Sequence, residues 1–237
     1  IKGYTITVFE KEEKLGGMLT LGIPSYRLEK NVVEAEIDVL KQMGVTFKTG
    51  VEVGKDITIP QLREEGYNGF FLAIGAQGGR KLNIEGADHK DVIAGVDFLR
   101  DVNLGKSVVT PGQVVVIGGG NVAIDVARTA TRTGASSVSM FCLESEKEMP
   151  AQDDEVVEAK EEKVEIQNGW GPNRVIIQDG KITGVEFIRC TRVFNEEGRF
   201  APEYDPKDTK IVPADTVLLS IGQSIEWGEL LKGSKVV

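Results

Sequence analysis

The chain has 237 residues, 41% hydrophobic and 27% charged, with a formal net charge of −9. That length supports a sizeable core in one or two domains, and the composition is that of a soluble globular protein. Lys and Arg are scattered rather than gathered into a basic stripe, which argues against nucleic acid as a partner. No apolar run reaches membrane-spanning length, and the opening IKGYTITVFEKEEK carries no apolar block of the secretory kind; a cytoplasmic protein without membrane insertion is expected. Cys142 and Cys190 are the two cysteines and His89 the one histidine. They form no CxxC pair and no zinc set, so neither a dithiol centre nor a metal site is expected. His89, in the polar stretch EGADHKD, reads as a solvated loop residue.

In chain order, YTITVFE (4–10) reads as a strand ending in an acid, followed by the glycine-rich loop KEEKLGGMLTLGIP (11–24). Residues 31–43 place Val32, Val33, Ile37 and Leu40 on one helical face, with Gly44 as the stop. Short strands VTFKTG and VEVG follow, then a small helix near 60–65. GFFLAIGA (69–76) reads as a fully apolar strand ending on glycine. Residues 78–112 form a polar connection with a helical patch at 95–104, and Pro111-Gly112 marks a boundary. Strand, glycine turn and helix then succeed one another in VVVIGGGNVAIDVARTA (114–130). A second strand is expected at 137–144 and a charged helix at 153–163. A β-meander is expected over 174–200 with turns at QDGKI and NEEGR, and an apolar strand in DTVLLSIGQ (215–223). Alternating strands and helices predict an α/β, largely parallel architecture.

The glycine turn is the most informative stretch. Gly118-x-Gly120-x-x-Ala123 is the G/A variant of a dinucleotide-binding fingerprint, and it sits in the required context between a strand and a helix. The first glycine permits the turn, the second lets backbone approach a pyrophosphate, and Ala123 lets helix pack on strand. Free N–H groups and a partial positive charge at the helix start then favour phosphate. Glu144, about 24 residues beyond Gly120 near the end of the next strand, stands where an acid binds the ribose hydroxyls. Glu10 occupies the same station after TITVFE, although no glycine turn precedes it, so a second and incomplete dinucleotide unit is expected.

Taken together, LGGMLTLGIPSYRL (15–28), VGKDIT (53–58), FLAIGA (71–76), VIGGGNVAIDVARTA (116–130), EKEMPA (146–151) and ADTVLLSIGQS (214–224) resemble the small subunit of glutamate synthase and its relatives. These are a branch of the two-dinucleotide-domain flavoproteins. The resemblance implies a Rossmann-like nicotinamide-binding domain (107–215) inserted into an incomplete FAD-binding domain (1–106, with a return over 216–237). It implies that the family's first glycine motif and its closing flavin segment lie outside these residues in a longer protein. Glu10 would hold the FAD ribose with Lys11 beside it, and Gly16 and Gly17 would pass the flavin phosphates. Gly22, Ile23, Pro24 and Arg27 would lie near the flavin ring, Val53 near the adenine, and Ala73, Ile74 and Gly75 along the FAD cleft. Gly118, Gly119, Gly120, Asn121 and Val122 would hold the nicotinamide nucleotide. Asp125 and Arg128 would brace its helix, and Gly222 would line its mouth. Met18 and Leu19 stand where disulfide reductases of the superfamily carry reactive cysteines, which implies that disulfides are not the substrate.

The chemistry implied is hydride transfer between a nicotinamide nucleotide and FAD, with electrons exchanged with iron–sulfur clusters of a partner domain or subunit. No catalytic acid or base is named, because the reactivity belongs to the cofactors. A degenerate nucleotide-binding subunit with a structural or regulatory role and no flavin is the alternative. NADP-using relatives carry an Arg-Arg pair where this chain has Leu143-Glu144, so NAD(H) is expected over NADP(H). Arg174 or Lys147 would have to swing in to take a 2′-phosphate.

Overall fold

The computed structural model describes residues 2–234, which divide into two compact units: residues up to 77 together with 225 onward, and 78–224. In the first unit, strand β1 (Thr7–Glu10) is followed by α1 (Met18–Leu21), α2 (Lys30–Gln42), β2 (Thr46–Thr49) and α3 (Ile59–Glu64). β1 and β2 pair in parallel from Thr7↔Thr46 to Glu10↔Thr49. α3 starts on a capping box, the Thr58 hydroxyl accepting from the Gln61 N–H while the Gln61 side chain accepts from the Thr58 N–H.

Two expected strands do not form here. Residues 51–54 contribute one bridge, Val53 to Ile57, and 69–76 form no strand at all. GFFLAIGA has the composition of a buried strand, but no strand pairs with it among the described residues, and Phe71 is 93% exposed. A strand needs a ladder to satisfy its backbone groups, and apolar composition cannot supply one.

The second unit contains β3 (Gly78–Gly79), β4 (Val92–Ala94), α4 (Gly95–Asn103), β5 (Gly112–Ile117), α5 (Asn121–Arg132), β6 (Ala135–Cys142), α6 (Asp153–Glu161), β7 (Glu165–Asn168), β8 (Trp170–Gln178), β9 (Lys181–Phe194), β10 (Phe200–Pro213), β11 (Thr216–Leu219) and β12 (Gln223–Ser224). Its centre is a five-stranded sheet ordered β4-β11-β5-β6-β7, with every pairing parallel. β4 and β11 hydrogen-bond into this sheet, and the compact unit that contains it runs from 78 to 224. The expected meander is also longer: β8, β9 and β10 form an antiparallel sheet across 170–213. Its first hairpin turns on Asp179 (φ 51°) and Gly180 (φ 72°), the Asp-Gly pair that a two-residue turn of positive φ prefers.

The apolar run of β5 is buried on both faces. Val114 and Val116 join Ala123, Val126, Ala127, Met140 and Leu218 in the core under the helices. Val115 and Ile117 join Phe141, Val175, Val185, Phe187 and Val217 in the core beneath the antiparallel sheet. Phe141 stacks on Phe187 with ring centroids 4.0 Å apart. Strict alternation of direction along a strand thus turns four successive apolar residues into the contacts between three layers.

α5 and α6 are clamped by charge. Buried Arg128 donates from Nε (3.0 Å) and Nη2 (2.6 Å) to Glu162, and also pairs with Glu158. Arg132 donates to the same Glu162 carboxylate, Nη2 at 2.8 Å. These bonds, Arg132 foremost, hold the Glu162 carboxyl down from 4.5 to about 2 against the opposing effect of its partial burial. A depressed folded-state pKa means that the stabilisation is complete above about pH 4.5 and fades as the pH falls towards 2. Glu162→Gln is therefore expected to lower the melting temperature clearly at pH 7 and much less at pH 2.5. Melting curves of both proteins across that range check it, and a pH-independent difference would refute the clamp.

His89 is not the solvated residue expected. Its Nδ1 accepts from the Asp91 N–H at 3.2 Å, which leaves Nε2–H to donate to the Gly180 carbonyl at 3.1 Å. The ring ties the loop before β4 to the turn between β8 and β9, two segments far apart in sequence.

Candidate nucleotide-binding site

The fold places the glycine turn at the carboxyl end of β5, where β6 leaves to one side and β11 to the other. Ligands of parallel α/β sheets bind at such a switch point. The three glycines have three different surroundings. Gly118 (φ 142°) donates its N–H to Phe141 O at 2.8 Å, and a Cβ on it would stand 2.2 Å from Ser220 O. A Cβ on Gly119 would meet Cys142 Cβ and Glu144 Oε2, each at 2.9 Å. Gly120, the residue before the first turn of α5, has φ −94° and ψ 174°, and a Cβ there would meet nothing within 4 Å. The first two glycines answer to the protein's own atoms, and the third opens onto free space.

At the start of α5 the N–H groups of Asn121 and Val122 precede the first intrahelical bonds. The Asn121 side chain has a structural role: its Oδ1 accepts from the Gln152 N–H at 2.9 Å and so ties the 145–152 loop to α5. Ala151 N–H donates to Gly119 O at 3.0 Å, fixing the same loop to the turn. Ala123 is fully buried, as close helix–strand packing requires. Asp125 and Arg128 are buried along the same helix.

Glu144 lies two residues beyond β6, and its backbone carbonyl accepts from the Gly169 N–H at 3.1 Å. Its carboxylate is directed at Gly119, whereas its neighbours Leu143 and Ser145 face a groove of about 390 Å³. The far wall of that groove is β9 from Arg189 to Phe194. Arg189 and Arg192 went unnoticed in the sequence, since nothing local connects β9 with residue 144. Arg174, expected as a cation free to move, is paired with Glu186 at 3.1 Å. Gly222 (φ 107°) carries an unforeseen neighbour in Arg80, whose Cδ lies 3.4 Å from the position of a Cβ there.

Cys142 and Cys190 are buried free thiols. Burial first, then the Glu144 charge, pushes the Cys142 thiol up to about 12, and burial raises Cys190 as well. Both therefore stay protonated near neutrality and are poor nucleophiles.

In the first unit, Glu10 ends β1, and its carboxylate accepts from the Glu12 N–H at 2.9 Å; exposed Lys11 follows it. Gly16 (φ 108°) is packed, since a Cβ would meet Thr20 Oγ1 at 2.2 Å, but Gly17 (φ 51°) opens onto free space at the start of α1. The strand-end acid and open glycine fit the ribose and phosphate ends of a dinucleotide. Arg27 is exposed, Val53 is half-buried against solvent, and of Ala73, Ile74 and Gly75 only Ile74 is partly covered.

A parallel sheet with a glycine turn at its switch point and an acid beyond the next strand defines a dinucleotide-binding domain of Rossmann type. The profile of the pyridine nucleotide-disulphide oxidoreductases matches residues 2–228, and the chain belongs to that family. Among its relatives, the NADP(+)-dependent formate dehydrogenase subunit beta of Moorella thermoacetica is 38% identical over 95% of this chain and 32% of its own length. The NADPH-Fe(3+) oxidoreductase subunit beta of Geobacter sulfurreducens is 37% identical over 94% of this chain and 34% of its own. The glutamate synthase [NADPH] small chain of Halomonas elongata is 39% identical over 93% and 48%. The chain thus spans about a third to about a half of the length of these relatives. Among solved structures, FprA of Mycobacterium tuberculosis aligns with a TM-score of 0.76 at 19% identity, covering 92% of this chain and 64% of its own. At that identity the likeness is one of fold.

Proposed function

We propose that the chain passes hydride between NADP(H) and FAD as part of a longer redox protein, in which electrons are exchanged with iron–sulfur clusters of a partner domain or subunit. The observation that carries this reading is the start of α5. Gly120 opens onto free space beside unbonded helix N–H groups, with the Glu144 carboxylate directed at the turn. In the nucleotide complex Gly118 shapes the turn, Gly119, Gly120, Asn121 and Val122 offer backbone to the pyrophosphate, Glu144 accepts from ribose hydroxyl, and Gly222 lines the mouth. FAD, when bound, supplies the hydride-accepting chemistry; Glu10, Lys11, Gly16, Gly17, Arg27, Val53, Ala73, Ile74 and Gly75 are the residues proposed to hold it. The unit 78–224 is accordingly the nicotinamide domain, and the remainder belongs to the FAD domain. No side chain is assigned to proton transfer.

The preference for NAD(H) expected from Leu143 and Glu144 finds no support in the relatives, whose names carry NADP(+) or NADPH. We take NADP(H) as the coenzyme. Those names also describe subunits or chains of redox enzymes, which supports the proposal of a redox partner.

The purified protein is expected to be yellow and to lose its visible flavin absorbance on anaerobic addition of NADPH. A colourless protein that still binds NADPH would overturn the flavin half of the proposal and leave a nucleotide-binding subunit. Failure to bind either nicotinamide dinucleotide would overturn it entirely.

A further inference from the structure

We infer that the 2′-phosphate of NADP(H) is recognised by the antiparallel sheet instead of the end of β6, with Arg192 as the deciding residue and Arg189 behind it. The inference rests on the nicotinamide-nucleotide reading of α5 and Glu144, and names the part of that site which selects the coenzyme.

The first support is position. The groove opens beside Leu143 and Ser145 at the end of β6, reaches Asn168 and Gly169 at the end of β7, and is closed by β9. Its volume of about 390 Å³ lies within the ~300–1,000 Å³ usual for small-molecule sites. The second is direction. The Glu144 carboxylate faces the turn at Gly119, not the groove. In this proposal a ribose held between that carboxylate and the turn has the β9 wall of the groove on the far side of residues 143–145. Leu143 itself offers a phosphate nothing; its Cδ2 is packed 2.9 Å from where a Cβ on Gly171 would stand.

The third support is charge. Arg192 projects from β9 with 44% of its side chain exposed and pairs across the sheet with Glu203, itself 58% exposed. A pair so exposed is worth roughly 0–1 kcal/mol, whereas a guanidinium binds phosphate through two charge-assisted hydrogen bonds. Exchanging Glu203 for a phosphate is therefore favourable. Arg189 is held more firmly, with its guanidinium 3.8 Å over the Trp170 ring and Nε 3.0 Å from Asp208. It lines the groove at the start of the β9 wall, its charge shared with Asp208. Two carboxylates also line the groove: Glu146 is paired with Lys160 at 2.9 Å, and Glu148 accepts from the Ser145 hydroxyl at 2.6 Å. Lys160 offsets the first, while Glu148 and the Glu144 carboxylate on the ribose side oppose a phosphate, so the charge-assisted bonds from Arg192 have to outweigh both.

Calorimetric titration of the purified protein with adenosine 2′,5′-bisphosphate and with adenosine 5′-monophosphate tests this. The unmodified protein is expected to bind the bisphosphate at least about tenfold more tightly. Arg192→Ala is expected to lose about tenfold or more for the bisphosphate and nothing for the monophosphate. Arg192→Lys should recover part of the loss, and Glu203→Gln, by releasing Arg192, should tighten bisphosphate binding about twofold. Equal loss for both probes, or no loss, in Arg192→Ala overturns the inference while leaving the nucleotide site standing. Equal affinity of the unmodified protein for both probes overturns the inference and the choice of NADP(H). Binding of neither probe overturns the nucleotide reading itself.

Discussion

Gly120→Val is expected to weaken binding of the nicotinamide nucleotide by about 100-fold or more while leaving the fold intact. The two halves of that expectation have separate causes. Gly120 has φ −94° and ψ 174°, an extended conformation that a β-branched residue adopts readily. A Cβ there meets no protein atom within 4 Å. The cost to the fold is that of a poor residue at the helix cap, about 1 kcal/mol, or a melting shift of about 2–4 °C. The space a valine fills, however, is that through which backbone reaches the pyrophosphate in the proposed complex. Losing two hydrogen bonds to a charged ligand, at about 1.5–3 kcal/mol each, gives the 100-fold figure or more. Calorimetry with NADPH and a thermal melt read the two halves independently. An unchanged affinity would remove the phosphate cradle from the account, and a collapsed melt would remove the distinction drawn between the glycines.

Gly118→Ala should do the reverse and damage the fold first. The backbone lies at φ 142°, and the added methyl would stand 2.2 Å from the Ser220 carbonyl oxygen and 2.8 Å from its carbon. Neither side can yield cheaply. Gly118 N–H is bonded to Phe141 O at 2.8 Å, and Ser220 N–H is bonded to Ile117 O at 2.7 Å. Backbone strain of about 1–3 kcal/mol and overpacking of about 1–3 kcal/mol both apply. A loss of about 3 kcal/mol or more corresponds to a melting temperature lower by about 6–12 °C. Denaturant unfolding of the variant measures this directly, and a loss below about 1 kcal/mol would show that β5 and β11 can part at this point.

Two glycines two residues apart thus serve different ends, which the sequence motif alone describes only in general terms. The strand, turn and helix of 114–132 were legible because their signals are local. Four apolar residues, a glycine cluster and small residues at helical spacing need no knowledge of the rest of the chain. The Asp179-Gly180 hairpin was legible for the same reason: positive φ at two successive residues is a near-neighbour property. Glu144 could be placed because its distance from Gly120 along the chain is set by one helix and one strand.

GFFLAIGA shows where local signals fail. Its apolar character predicts a strand, but a strand also needs a partner at hydrogen-bonding distance, and partnership is decided elsewhere in the chain. The same holds for His89, whose ring meets Gly180 91 residues away, and for the tie between the Asn121 side chain and Gln152.

The sequence by itself determined the strand, glycine turn and helix of 112–132, since the turn's φ angles, the helix start and the burial of β5 follow from residues within a few positions of one another. Only the tertiary structure decided which glycine answers to protein and which to open space, and that β9 forms the wall opposite Leu143 and Ser145. Those relations depend on one sheet packing over another, and no residue type or spacing encodes a contact between positions 145 and 192 until both layers are folded.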